Sequence, residues 1–169
     1  MISIYSLLAI ILSIGTINWT IWIIRRTRSV FYKNFKGEYK ATTSVIIPVY
    51  KEKQEVLKNT IDSILKNNPN EIILMLDYTE KDNMEMLMNE YQNNNKIKTY
   101  FIKKPGKRPA LAEGIRKAIG EIVILVDSDT SWASRNFLKN ILKPFVHPDV
   151  GGVGTRQSVK EKEKTWAQR

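Results

Sequence analysis

Hydrophobic and polar positions divide this chain into two unlike parts. From Ile2 to Ile24 no residue carries a charge. At about 1.5 Å per residue such a helix spans roughly 35 Å, enough for a hydrocarbon core of about 30 Å. Trp19 and Trp22 lie near its end and Arg25 and Arg26 follow at once, the order of interfacial indoles and cytoplasmic cations in a membrane anchor. A cleaved signal peptide fits poorly, because no basic residue precedes the run and no small-x-small site closes it. The pattern predicts a retained transmembrane helix over 1–24, making the lipid bilayer a partner. The cationic flank places the N-terminus outside and the remainder in the cytoplasm, a single-pass arrangement.

After this run the periodicity changes. Residues 25–43 form a basic linker dotted with Phe31, Tyr32, Phe35 and Tyr39, readable either as a membrane-surface segment or as a solvated connector. Ser44–Val49 then reads as a strand closed by Pro48, and Val56, Leu57, Ile61, Ile64 and Leu65 mark the apolar face of a helix. Glu71–Asp77 is a second apolar strand. Met84, Leu87, Met88 and Tyr91 line another helix, with the methionines expected in the core, and Ile97–Ile102 is a third strand. Lys103–Arg108 reads as a basic loop opening a helix at Pro109, whose expected apolar face is Ala110, Leu111, Ile115, Ala118 and Ile119. Ile122–Val126 does not alternate, which predicts a central parallel strand buried on both faces. Phe137, Leu138, Ile141, Leu142 and Phe145 suggest a further helix, and Val150–Gln157 a glycine-rich strand or loop. Strands alternating with helices predict an α/β domain over 44–157, a mostly parallel sheet with helices on both faces, followed by a charged tail over 158–169.

Composition narrows the class. The 169 residues suit one domain beyond the anchor, and the absence of cysteine removes disulfides and thiolate metal sites. A net charge of +10 fits anionic lipid, a phosphorylated ligand or nucleic acid. Its distribution, with Arg25, Arg26, Arg28, Lys33, Lys36 and Lys40 after the anchor and Lys103, Lys104, Lys107 and Arg108 further on, lacks the aromatic interleaving of a nucleic-acid face, which argues against that partner.

The chemistry gathers at strand ends. Ile122–Val126 runs into Asp127-Ser128-Asp129, and ligands of open α/β sheets lie beyond the carboxyl ends of their strands. Two carboxylates there are hard donors suited to Mg²⁺ or Mn²⁺, which bind through one or two such groups plus substrate phosphates. The same tripeptide also serves as a plain turn with a helix cap.

Pro48-Val49-Tyr50-Lys51-Glu52 after the first strand, Asp77 after the second, Gly106-Lys107-Arg108 and Asp127-Ser128-Asp129 follow in a fixed order. That order resembles the family 2 glycosyltransferases, in particular the membrane-bound processive type of hyaluronan, chitin and cellulose synthases. Among these, G-K-R-P-A, D-S-D-T and H-P-D-V-G-G-V-G look most like hyaluronan synthase. The resemblance covers roughly Thr43 to Gln157. It implies a GT-A (Rossmann-like) fold, a UDP-sugar donor, a glycan acceptor, Mg²⁺ or Mn²⁺, and transfer with inversion. It implies nucleotide-sugar contacts for Pro48, Tyr50, Glu52, Asp77, Lys107, Arg108 and Asp127, with Asp77 on the uracil and Lys107 and Arg108 on the diphosphate. It implies metal ligation by Asp127 and Asp129. Each position also has an ordinary use, Tyr50 and Glu52 in a loop, Lys107 and Arg108 in a solvated turn, and Asp77 as a cap. Gly151, Gly152 and Gly154 would admit backbone close to donor or acceptor, or form a plain flexible turn.

The sequence departs from that family after Gln157. No G-D-D or T-E-D segment carries a catalytic base, Gln157 and Trp166 do not make a Q-x-x-R-W, and Glu161 and Glu163 lack an apolar frame. The expectation is a truncated donor- and metal-binding half, with the catalytic base elsewhere and a second polypeptide as one way to complete the site. The alternative is a non-catalytic or partner-dependent nucleotide-sugar-binding membrane protein.

Overall fold

The computed structural model describes residues 3–31, 35, 37–104 and 106–158. The charged tail beyond Ser158 and Tyr32, Lys33, Lys36 and Pro105 lie outside them. The chain forms two compact units divided between Lys36 and Gly37.

The first unit is a single helix, α1 (Ile4–Val30). Ser3 caps it, its hydroxyl accepting from the Tyr5 N–H at 3.3 Å. None of its residues is buried, and it is long and apolar enough to cross a membrane. Several of its hydroxyls are satisfied within the helix: Ser13 donates to the Ala9 carbonyl at 2.7 Å and Thr20 to the Thr16 carbonyl at 2.8 Å. That is the arrangement a lipid environment requires of polar groups. Arg25, Arg26 and Arg28 ride on its final turns.

The second unit is a four-stranded parallel sheet in the order β3-β2-β1-β4, built from β1 (Thr43–Val49), β2 (Glu71–Asp77), β3 (Ile97–Ile102) and β4 (Ile122–Leu125). Helices α2 (Gln54–Leu65), α3 (Lys81–Tyr91) and α4 (Lys107–Lys117) make the crossovers. A short helix α5 (Phe137–Leu142) follows β4. Residues on opposite pleats of β1 and β2 enter separate cores. Val45, Ile47, Val49, Ile72, Leu74 and Leu76 pack with α2, α3 and α5, whereas Ile46, Ile73 and Met75 pack with Ala110 of α4. The unalternating runs of β1 and β2 are thus explained by helices on both faces.

Two expectations are corrected. Among the described residues β4 is an edge strand, and its burial alternates, with Val123 37% and Leu125 52% exposed. Helix α4 covers the neighbouring strands but leaves this pleat open, so an apolar run alone did not reveal its place in the sheet. The α4 face also differs. The helix ends at Lys117, short of the expected Ala118 and Ile119; Ile115 is 47% exposed on it and Ile119 76% exposed beyond it, while Ala110 and Gly114 are buried. A Cβ on Gly114 would stand 2.6 Å from Ile46 Cγ2, so helix and sheet approach too closely there for a larger side chain. The glycine-rich segment, expected to be strand or loop, has neither helix nor strand in the described residues. A Cβ on Gly151, Gly152 or Gly154 would meet nothing within 4 Å.

The opposite end of the sheet holds a buried ionic joint. Glu71, at the start of β2, receives Lys98 Nζ at 2.7 Å, the Ser44 hydroxyl at 2.5 Å and the Ile119 N–H at 2.9 Å. Burial alone would raise its carboxyl, but these donors outweigh it and hold the group below its ordinary value. The joint ties β1, β2, β3 and the approach to β4 at the end away from the candidate site.

Candidate functional site

Strand order reverses at β1: β2 lies on one side and β4 on the other. The crevice beyond the carboxyl ends of β1 and β4 is therefore the switch point of the sheet, where such folds hold ligands. Pro48 helps to open it. Ile46 accepts from the Val126 N–H at 3.0 Å, the last rung to the β4 side. Pro48, two residues on and facing the same neighbour, has no N–H to continue the ladder.

The chain bends sharply after β1. Lys51 takes φ 51°, a left-handed conformation uncommon outside glycine, and its ammonium lies 5.2 Å from the exposed Tyr50 ring. The bend presents Glu52 to β4. One Glu52 oxygen accepts from the Lys53 N–H at 3.0 Å, and the other accepts from the Ser128 hydroxyl at 3.0 Å. Ser128 is thus a contact that the resemblance assigns no role, and its position inside the acidic tripeptide is the signal the sequence offers.

Asp77 ends β2. Leu76 pairs with Val49, so Asp77 and Tyr50 follow at the next step of neighbouring strands. Its Oδ1 caps the following turn, accepting from the Thr79 N–H at 3.0 Å and the Thr79 hydroxyl at 2.7 Å. These bonds, the backbone one first, hold the carboxyl below its usual range. Oδ2 is buried without a hydrogen-bond partner among the described residues. The cap and a ligand contact are therefore compatible: one oxygen is committed, and the other is an orphan of the kind that a donor N–H would satisfy. An open depression of about 370 Å³ at the start of α2 is lined by Lys51, Glu52, Lys53, Gln54 and Glu80, with Asp77 not in its lining.

Lys107 and Arg108 are helical rather than part of the expected loop. Gly106 at φ 118° makes the turn, and α4 begins at Lys107. Both cations thus occupy a first helical turn, where the helix dipole disfavours positive charge and favours an anion. Lys107 Nζ meets Asp127 Oδ1 at 2.5 Å, and Arg108 is exposed beside it. The Thr130 N–H donates to the Asp127 carbonyl at 3.1 Å and closes the acidic turn, which leaves Asp129 exposed. No group of three or more His, Cys, Asp or Glu side chains suited to a metal occurs among the described residues. Two carboxylates, one already paired, do not enclose a cation. They fit a hard ion that brings phosphate and water oxygens with it.

Residues 44–169 match the family described as glycosyl transferase family 2. The chain belongs to that family. It is 32% identical over 121 residues to a type 2 glycosyltransferase of Zymoseptoria tritici, covering 72% of this chain and 25% of that protein. A type 2 glycosyltransferase of Pyricularia oryzae is 30% identical over 117 residues, covering 69% and 24%. The chain thus spans about a quarter of the length of these relatives. In fold it is similar to a mannosyltransferase from Pyrobaculum calidifontis in complex with GDP-Man and Mn²⁺. The TM-score is 0.65 at 23% identity, covering 78% of this chain and 41% of that one. The GT-A character expected from the sequence agrees with the parallel sheet observed and with this likeness in fold.

Proposed function

We propose that this glycosyltransferase chain holds the donor half of a site that transfers a sugar from a UDP-sugar to a glycan acceptor with inversion, in the manner of a membrane-bound, processive polysaccharide synthase. The observation that carries the proposal is the meeting of Lys107 with Asp127 across the switch point, at the same end of the sheet as Asp129 and the orphan oxygen of Asp77.

Tyr50 and Asp77 bind the nucleoside, the Asp77 Oδ2 accepting the base N–H and the Tyr50 ring giving an exposed aromatic surface. Lys107 and Arg108 receive the diphosphate, placing fixed positive charge where negative charge develops as the nucleotide departs. Asp127 and Asp129 would hold Mg²⁺ or Mn²⁺, which supplies Lewis-acid stabilisation of the departing phosphate when bound. The Mn²⁺ complex of the similar mannosyltransferase supports that choice of ion. Glu52 holds Ser128 and so fixes the acidic turn against β1. No carboxylate here is assigned the proton-accepting role toward the acceptor hydroxyl. That base and the acceptor site come from polypeptide beyond these residues, in the same or a second chain. Helix α1 anchors the unit in the bilayer, with Arg25, Arg26 and Arg28 at the cytoplasmic face.

The test is thermal unfolding of the full chain in detergent micelles with UDP, with and without Mn²⁺ or Mg²⁺. Protection that requires the metal is expected; equal protection in chelator would refute the metal-dependent arrangement.

A further inference from the structure

We infer that Ser63, in the last turn of α2, and Asn67, just past its end, are positioning residues for the acidic turn Asp127–Asp129. This inference rests on the donor-binding reading proposed above. The turn stands in a stretch without regular structure, from Val126 to Asn136, so no ladder or helix fixes it. Upstream it is held by the Val126 N–H on the Ile46 carbonyl at 3.0 Å. Downstream the anchors come from α2. The Trp132 N–H donates to Ser63 Oγ at 2.9 Å, and the Trp132 side chain is buried, its ring 4.9 Å from that of Phe137. Asn67 Nδ2 donates to the Ser134 carbonyl at 3.0 Å and to the Ser63 carbonyl at 3.1 Å, while its Oδ1 accepts from the Leu138 N–H at 3.1 Å.

The chemistry of these two side chains leaves little freedom. The Ser63 hydroxyl donates to the Thr60 carbonyl at 2.7 Å, so its hydrogen is committed and a lone pair faces Trp132. Flipping the Asn67 amide would set its NH₂ against the Leu138 N–H, so the network fixes its orientation. Ser63 therefore grips the chain three residues past Asp129, and Asn67 grips it again where α5 begins. With Val126 fixed on the other side, Asp127 and Asp129 have only a short tether in which to move. Ser63 and Asn67 act on the carboxylates through the backbone alone, one step further out than partners bonded directly to a ligand, whose loss costs about 10–100-fold, so the low end of that range is expected.

The experiment uses the full chain in micelles and two readouts: amide hydrogen exchange over 127–134 without ligand, and Mn²⁺-dependent UDP affinity by calorimetry. Ser63→Ala is expected to speed exchange at Trp132 and weaken UDP–Mn²⁺ binding roughly tenfold, and Ser63→Thr, which keeps the hydroxyl, to restore both. Asn67→Asp, which keeps the acceptor for Leu138 but loses both donors, is expected to give a similar loss and serves if Ser63→Ala does not fold. Faster exchange with unchanged affinity would overturn the positioning role, as would unchanged exchange in both variants. A wild-type chain that shows no Mn²⁺-dependent UDP binding would overturn the donor-binding reading itself, and is seen before any variant is made.

Discussion

Lys107, the first residue of α4, and Asp127, just past β4, are joined by a 2.5 Å ion pair although twenty positions apart in the chain. The pair is half-exposed, so its contribution to folding is under about 1 kcal/mol. Lys107→Met should leave the unfolding midpoint nearly unchanged. It should also lower Mn²⁺-dependent UDP affinity about tenfold, in line with the loss of one charge-assisted contact. Calorimetry beside thermal unfolding separates the two effects. A large fall in stability with normal affinity would instead mark the pair as structural.

Asp129 is exposed and contributes little to packing. Asp129→Ala should therefore fold normally and lose the metal-dependent protection by UDP. A thermal shift equal to wild type's would remove Asp129 from the metal site.

Asp77 has two oxygens with different employment. Asp77→Asn retains a carbonyl oxygen for the Thr79 cap, so stability should change by less than about 1 kcal/mol. Its NH₂ would face a base N–H donor to donor, and uridine nucleotide affinity should fall at least roughly tenfold. Nucleotide titration with UDP checks this.

The Glu71 joint predicts an acid limb of stability. Its folded-state carboxyl lies below the ordinary 4.5, so the stabilisation is fully present above the unfolded value and is lost as pH falls through the folded one. Glu71→Gln should flatten that acid limb. At neutral pH it should cost about 2–3 kcal/mol in denaturant unfolding, less than a fully buried pair because Lys98 reaches solvent.

Two substitutions, one on α4 and one just past its end, distinguish the apolar face expected from periodicity from the one observed. Gly114→Ala drives a Cβ toward Ile46 and Met75 and should cost about 1–3 kcal/mol. Ile119→Lys, at an exposed position, should stay within about 0.5 kcal/mol. Denaturant midpoints for both settle the matter.

Much of this fold was legible because β1 and β2 are short apolar runs and because Asp and Asn punctuate the chain around β2 and β3. The bounds expected for β2 and β3 are the ones observed. The strand-end motifs were legible for the same reason, since a strand's carboxyl end can be located once the strand is. What escaped depends on neighbours distant in sequence. Whether Val123 and Leu125 are covered is decided by where α4 lies, not by their own apolarity. Glu71 looks like a surface residue until Ser44, Lys98 and Ile119 converge on it. Asn67 looks like turn punctuation, and only the folded chain shows its amide spanning Ser134 and Leu138. Lys107 and Arg108 read as loop because a first turn rich in cations opposes the helix dipole.

The solitary flank of β4 has a mechanical meaning. The acidic turn hangs from a strip of sheet fastened along one margin, so its rigidity is borrowed from β1 and α2 rather than owned. A polypeptide that laid a strand along the other margin would stiffen the turn without touching a single carboxylate and, on the donor-binding reading proposed above, would tune nucleotide affinity from outside the crevice.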